Sequence, residues 1–496
     1  MSLLEAARRW CRPLALTVLA ALAVSAPGCA VNPVTGRREV TLVSTAGEKE
    51  IGEEAARDVE ESMGIVADSP IAEYVAAIGR RLAQYSPRHD VGYVVRIVDT
   101  PEPNAFALPG GFVYVSRGLL ALANSEDELA NAIGHEIGHV AARHAVQRVS
   151  RAAPIGILTG VPAALTGIIF PRVGDAIAGV GGVANDLILA PFDRDQEREA
   201  DRVGQDLAAR GGWDPMGLAS LLRTLEREEA LRNGGVKRTS FLSSHPSTPE
   251  RVATTEAAAR GLTRAAAPPI AAGRAAFLSR LDGLAVGESA ARGVVRSQKF
   301  LHRELDFTVT FPAGWPLENA PRSVSAAPPD GAAIAVVQIA GNGDDPGTFA
   351  REFEQKTRTP FKEPSRRVVV SGLPAVRALT ELRTSDGAFA VDLAWIAHHG
   401  RVYRIAGMTR PPRLDAYRAR FGAIVESFRA LTHAERESLT QTRLRIVHAR
   451  EGESLAQLVA RVPGAAWTAA ETAVANGRQA EDHLRSGDQL KLAVKY

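Results

Sequence analysis

Cysteine is almost missing from this chain, with only Cys11 and Cys29 among 496 residues. That excludes a disulfide-stapled scaffold and a thiolate metal cluster. Aromatic residues make up 5% and the formal net charge is +3, with no concentrated basic stretch. A nucleic-acid surface is therefore not expected. Histidine is scarce at 11 residues, so a cluster of them is informative. No uninterrupted apolar run reaches the roughly 20 residues of a membrane-spanning helix. The run Leu14–Ala26 is too short, and the apolar stretch 154–192 is broken repeatedly by Gly and Pro. That stretch is expected as buried or lid helices beside a site, with membrane contact as the minority reading. What is present is a hydrophobic content of 45%, ample for ordinary globular cores, in a length that implies several domains.

The N-terminus has the form of an export signal: Arg8, Arg9 and Arg12 precede Leu14–Ala26. It ends in Ala26-Pro27-Gly28-Cys29, which resembles a bacterial lipobox, so residues 1–28 are expected as a signal peptide and Cys29 as the lipidated first residue. Cys11 lies inside the signal, which leaves no intramolecular disulfide, and acylation would remove an unpaired thiol from an oxidising compartment. Ala30 rather than Asp after the Cys points to the outer membrane. The expected location is the periplasm, anchored by that lipid.

The most specific pattern is His135-Glu136-Ile137-Gly138-His139. Such a pattern arises by chance on the order of 0.01–0.02 times in a chain of this length and composition. Ser125 reads as a helix N-cap, with Glu128 closing a capping box and Glu126 and Asp127 in the first turn. Leu129, Ile133, Ile137 and Val140 recur at helical spacing. Residues i and i+4 share a helix face, so two imidazoles can grip one metal ion while Glu136 reaches its water as general base. A catalytic zinc site needs a third protein ligand. Glu197 and Asp201, again four apart on a second predicted helix, offer one carboxylate for the metal and one for the free N–H of a ligating imidazole.

With these residues the chain resembles the M48 metallopeptidases, membrane-associated gluzincins of zincin-like fold. Asn32-Pro33-Val34-Thr35-Gly36, Asn104-Ala105-Phe106-Ala107-Leu108-Pro109-Gly110-Gly111 and Ser244-His245-Pro246, followed by Arg251, match further stretches of that family. The resemblance implies that His135, His139 and Glu197 hold one Zn²⁺, that Glu136 is the base, and that Asp201 orients a ligand. His245 is a candidate for stabilising the oxyanion of the tetrahedral intermediate, or for occupying the open zinc position and holding the enzyme latent. His144, nine residues past His135, is rotated to about the opposite helix face and reads as structural. The resemblance also implies unfolded or misassembled envelope proteins as substrates.

The expected fold class is α+β. A mainly helical peptidase domain occupies 29–265, and 266–299 is a linker. Residues 300–432 form a small α+β domain resembling the Mog1/PsbP type. Residues 443–496 resemble a βααβ LysM module, which would bind peptidoglycan; the alternative is a tail docked on the rest of the chain. Phe112–Val115, just before the motif helix, is the candidate edge strand for holding a peptide. His398 and His399, adjacent on a strand, are expected to face opposite ways and to be structural. The competing functional reading is a non-catalytic envelope scaffold with a vestigial zinc site.

Overall fold

The computed structural model describes residues 28–41, 43–67, 69–148, 191–232, 240–288, 292–320, 323–384 and 387–496. The expected signal run and nearly all of the stretch 154–192 lie outside the described residues. Strands β1 (Gly28–Val31) and β2 (Arg38–Thr41) pair antiparallel, with the Cys29 backbone opposite Val40. The chain reverses between them because Oδ1 of Asn32 accepts hydrogen bonds from Val34 N and Thr35 N, at 2.8 and 3.2 Å.

Two helices follow, α1 (Thr45–Met63) and α2 (Pro70–Ala83), capped by Ser44 and Ser69. Three strands follow, β3 (Val94–Val98), β4 (Ala105–Leu108) and β5 (Phe112–Ser116), in the spatial order β3-β5-β4. This corrects the sequence reading. Phe112–Val115 is the inner strand, parallel to β3 and antiparallel to β4, so the edges are β3 and β4.

Helices α3 (Arg117–Leu122), α4 (Glu126–Ala141), α5 (Arg194–Arg210), α6 (Gly217–Arg232), α7 (Phe241–Ser244) and α8 (Pro249–Arg260) complete the first core. The motif helix α4 is capped by Ser125, which accepts from Glu128 N at 3.1 Å. Glu128 does not close the box on Ser125; it accepts from Asn124 N at 2.7 Å and from Ser220 Oγ. Leu129, Ile133 and Ile137 have no exposed surface. Helices α4 and α5 touch backbone to backbone: a Cβ at Gly204 would stand 2.6 Å from His135 N, and one at Gly138 would stand 2.9 Å from Ala200 O.

Residues 266–299 are not the open linker expected. They contain α9 (Gly273–Leu281), whose Phe277, Leu278 and Leu281 are fully buried. The Ala-Pro-rich approach is pinned by Glu126, which accepts from Ile270 N at 2.7 Å, Ala271 N, Tyr74 Oη at 2.7 Å and Trp213 Nε1 at 2.6 Å. One buried carboxylate with four donors outweighs the unfolded bias of a short Ala-Pro run.

The next unit is built on β6 (Val294–Arg296), β7 (Lys299–His302), β8 (Phe307–Thr310), β9 (Leu317–Ala320), β10 (Ser323–Ala326) and β11 (Ala333–Asn342). Helix α10 (Pro346–Thr357) leads to β12 (Arg366–Val370), β13 (Leu373–Thr384), β14 (Gly387–His398) and β15 (Arg401–Thr409), then α11 (Leu414–Glu426) and β16 (Arg429–Ala430). The strands form an antiparallel seven-stranded sheet, β12-β13-β14-β15-β11-β10-β9, and a smaller sheet, β16-β8-β7-β6. His398 ends β14, but His399 takes a left-handed conformation at φ 49°, so the two rings lie together, 4.1 Å between centroids, instead of on opposite faces.

After α12 (His433–Ser438), the last residues run β17 (Thr442–His448), α13 (Leu455–Arg461), α14 (Ala469–Ala475), β18 (Gln489–Lys495). This βααβ unit is docked on the first core. The Gly283 N–H and the Leu284 C=O, just after α9, extend its sheet: Leu444 N donates to Leu284 O at 2.7 Å and Gly283 N to Leu444 O at 2.8 Å. Among the described residues no helix is long and apolar enough to cross a membrane.

Candidate metal centre

Helix α4 places His135 and His139 one turn apart, their Nε2 atoms 3.0 Å from each other. Helix α5, started by the Asp193–Gln196 capping box, lies across it on the glycine contacts and brings Glu197 beneath both rings. A Glu197 oxygen is 3.4 Å from His139 Nε2 and the other is 3.7 Å from His135 Nε2. The fourth member is His245, just past α7. Its Nδ1 is 3.2 Å from His135 Nε2 and 2.8 Å from Glu197 Oε1. All four side chains are buried, and their donor atoms lie within 4.8 Å of one another.

These spacings fit zinc. Ligand atoms about 2.0–2.1 Å from a tetrahedral ion are about 3.3 Å apart, the scale seen here. The pairing of the rings fits as well. His135 Nδ1 is 2.9 Å from Asp201 Oδ1, so it carries the proton and Nε2 keeps its lone pair for a metal. Asp201 is in turn gripped by Arg251, at 2.8 Å from Nε and 2.7 Å from Nη2, and Arg251 Nη1 reaches Glu197 Oε2 at 2.6 Å. Burial works against the charge on Glu197, but His245 and His139 outweigh it and hold the carboxyl well below the usual range. Asp201 is likewise held low, by His135 and Arg251 against burial.

Glu136 differs from the other carboxylates. It is fully buried, and neither oxygen has a hydrogen-bond partner among the described residues. His245 Nε2 stands 3.4 Å from Glu136 Oε1. Burial pushes its carboxyl above the ordinary value. A desolvated, unengaged carboxylate beside four metal-ligating atoms is poised to exchange a proton.

The structure brings together His135, His139, Glu197 and His245, with Glu136 beside His245 and Asp201 beside His135. Four others were not read correctly from the sequence. Arg251 was seen only as part of a motif. Phe192 stacks on His139, 3.9 Å between centroids, and Phe241 on His245 at 4.5 Å. His144 was assigned to the opposite face, yet its Nδ1 is 2.8 Å from His139 Nδ1. The reason is that α4 stops at Ala141 and Arg143 turns left-handed, at φ 60°, which the spacing rule for an unbroken helix does not foresee. Cys29, the expected lipid site, is in β1 and is not a member of this cluster.

A second group, Asp306, His398 and His399, also has donor atoms within 4.8 Å. There Asp306 is ion-paired with Arg436, and His398 Nε2 donates to Asp306 O at 2.8 Å, so the guanidinium already supplies the positive charge.

Residues 71–259 match the pattern of Peptidase family M48. The chain is similar to the mitochondrial metalloendopeptidase OMA1 of Schizosaccharomyces pombe, 30% identical over 226 residues, covering 44% of this chain and 63% of that one. It is similar to the beta-barrel assembly-enhancing protease of Escherichia coli, 28% identical over 223 residues, covering 43% of this chain and 45% of the relative. The chain thus spans between 45% and 63% of the length of these curated relatives. Among solved structures, cyanobacterial PsbP from Synechocystis sp. PCC 6803 is matched over 29% of this chain and 98% of that chain, at 12% identity and a TM-score of 0.24.

Proposed function

We propose, from the match of residues 71–259 to the pattern of Peptidase family M48, that the chain is a zinc-dependent endopeptidase acting in protein quality control. The observation that carries this reading is the convergence of His135 Nε2, His139 Nε2 and the Glu197 carboxylate beside an unengaged Glu136. A zinc ion held by those three side chains would supply a Lewis acid that polarises the scissile carbonyl and makes water acidic enough to attack near neutral pH. Glu136 takes the proton of the attacking water and delivers it to the departing amine nitrogen. Asp201, clamped by Arg251, fixes the tautomer and plane of His135. The edge strand β4, whose Ala107 and Leu108 line a small pocket with His139 and Phe192, aligns the peptide by main-chain pairing.

His245, with Nδ1 3.2 Å from His135 Nε2 and 2.8 Å from Glu197 Oε1, would compete with an attacking water for an ion held by His135, His139 and Glu197, so displacement of this ring is expected to accompany turnover. A vestigial structural site is disfavoured, since a structural site has no use for a buried, unpaired Glu136. The envelope setting is supported by the Ala26-Pro27-Gly28-Cys29 sequence, read as a lipid attachment point with Cys29 as the acylated residue. The βααβ order of 442–495 supports a LysM-like module that contacts peptidoglycan, and unfolded or misassembled envelope proteins are the proposed substrates.

The test is hydrolysis of casein by the purified chain and by Glu136→Gln. Activity should be lost in the variant by at least about a hundredfold, with bound zinc retained, and lost from the parent on chelation. Equal cleavage by both proteins would eliminate the hydrolytic mechanism.

A further inference from the structure

Two ring nitrogens cannot both donate to each other, and the pair His139 Nδ1–His144 Nδ1, 2.8 Å apart, therefore has a defined direction. The direction is set from outside. His144 Nε2 is 3.3 Å from Glu199 Oε2, a carboxylate that only accepts, so Nε2 carries the His144 proton. Nδ1 of the neutral ring is then an acceptor. It takes the Nδ1–H of His139, which leaves the lone pair of His139 on Nε2, facing His135 and Glu197. The opposite order would put a proton on His139 Nε2 and close that atom to a metal.

We propose that His144 is a positioning residue that fixes the tautomer and ring plane of the metal ligand His139, with Glu199 fixing His144 in turn. The two ligating imidazoles are thereby served differently. Asp201 holds His135 directly, whereas the carboxylate behind His139 acts through an interposed ring. His144 is 1% exposed, so solvent does not compete for its Nδ1. The left-handed Arg143 that redirects the chain is itself tied to buried Glu48, at 3.1 Å, which keeps the turn in place. The network ends at Asn32, 1% exposed, whose Nδ2 reaches Glu199 Oε1 at 3.5 Å. The turn Asn32–Gly36, which the peptidase chemistry does not otherwise use, thus lies against the outer end of the relay.

This inference rests on the zinc-peptidase reading, and the test separates the two. Zinc affinity of the full chain is measured by competition with a chromogenic chelator, alongside thermal melting of the metal-free protein, for the parent, His144→Leu, His144→Asn and Glu199→Gln. Loss of an outer hydrogen-bond partner typically weakens a metal site 10–100-fold. His144→Leu should fall in that range. His144→Asn places an amide oxygen near the position of Nδ1 and should recover to within a few-fold of the parent. Glu199→Gln should fall between them. All four metal-free proteins should melt within a few degrees of one another. Leu and Asn variants that bind zinc equally, or an affinity loss tracked by an equal loss of metal-free stability, would overturn the proposal and leave the zinc site standing. A parent chain that binds no zinc would instead remove the peptidase reading, and this inference with it.

Discussion

At the residue scale, the position of His245 makes a sharp demand. A catalytic zinc site keeps a corner free for water. Here Nδ1 of His245 stands 3.2 Å from His135 Nε2 and 2.8 Å from Glu197 Oε1, while its Nε2 is 3.4 Å from Glu136, so the ring would compete with water for an ion held by His135, His139 and Glu197. His245→Ala is therefore expected to raise the initial rate of casein cleavage per bound zinc several-fold. A fall in rate would assign His245 instead to stabilising the oxyanion. The six residues of the centre were legible because HExxH fixes a helical face and the second i, i+4 carboxylate pair supplies what that face lacks. The two roles of His245 were not separable from sequence, because a His before Pro reveals that the loop leaves the helix and nothing about which nitrogen points inward. His144 was misplaced for a related reason. Periodicity extrapolates a helix through a left-handed residue that only tertiary contacts impose.

At the element scale, the site depends on how closely two helices approach. Replacing a glycine in a helix interior by Ala ordinarily stabilises it by about 0.5–1 kcal/mol. At Gly204 the sign should reverse. The added Cβ would stand 2.6 Å from His135 N and 2.8 Å from Gly134 C, both backbone atoms that cannot swing aside. Overpacking of this kind costs about 1–3 kcal/mol and pushes Glu197 and Asp201 away from the imidazoles. Gly204→Ala should lower both the melting temperature and zinc affinity. Gly261→Ala is the control, since its Cβ would meet nothing nearer than 3.5 Å. Unchanged zinc binding in Gly204→Ala would show that the helix contact is not what sets the ligand geometry. The motif helix itself was readable from its cap and apolar spacing, down to Ser125. Strand order was not. Phe112–Val115 and Ala105–Leu108 are equally apolar, and only the pairing of β5 with β3 makes one of them inner.

At the scale of the whole molecule, the βααβ unit behaves as a part of the peptidase core. Leu444 and Ala475 belong to the same buried cluster as Leu129 and Ile133 of the motif helix, with Ile446 and Trp467 packed against it. The anchor is Lys491 of β18, 0% exposed, whose Nζ donates to Leu122 O at 3.0 Å and Ala123 O at 2.6 Å, the carbonyls at the end of α3. Its amino group satisfies two carbonyls at a helix end that water cannot reach. The sequence shows Lys491 only as one polar residue in a strand, since its partners lie more than 360 residues away. Lys491→Met keeps the volume and removes the donors. Leaving buried carbonyls unmet costs about 1–3 kcal/mol each at most, so the variant should melt several degrees below the parent. The informative probe is zinc-site fluorescence or casein cleavage followed through the same melt. If the unit is integral, the peptidase signal shifts down together with the global transition, and a chain ending at residue 440 loses cleavage at a temperature the parent withstands. If the unit were merely tethered, Lys491→Met and the truncation would both leave the temperature dependence of cleavage where it was.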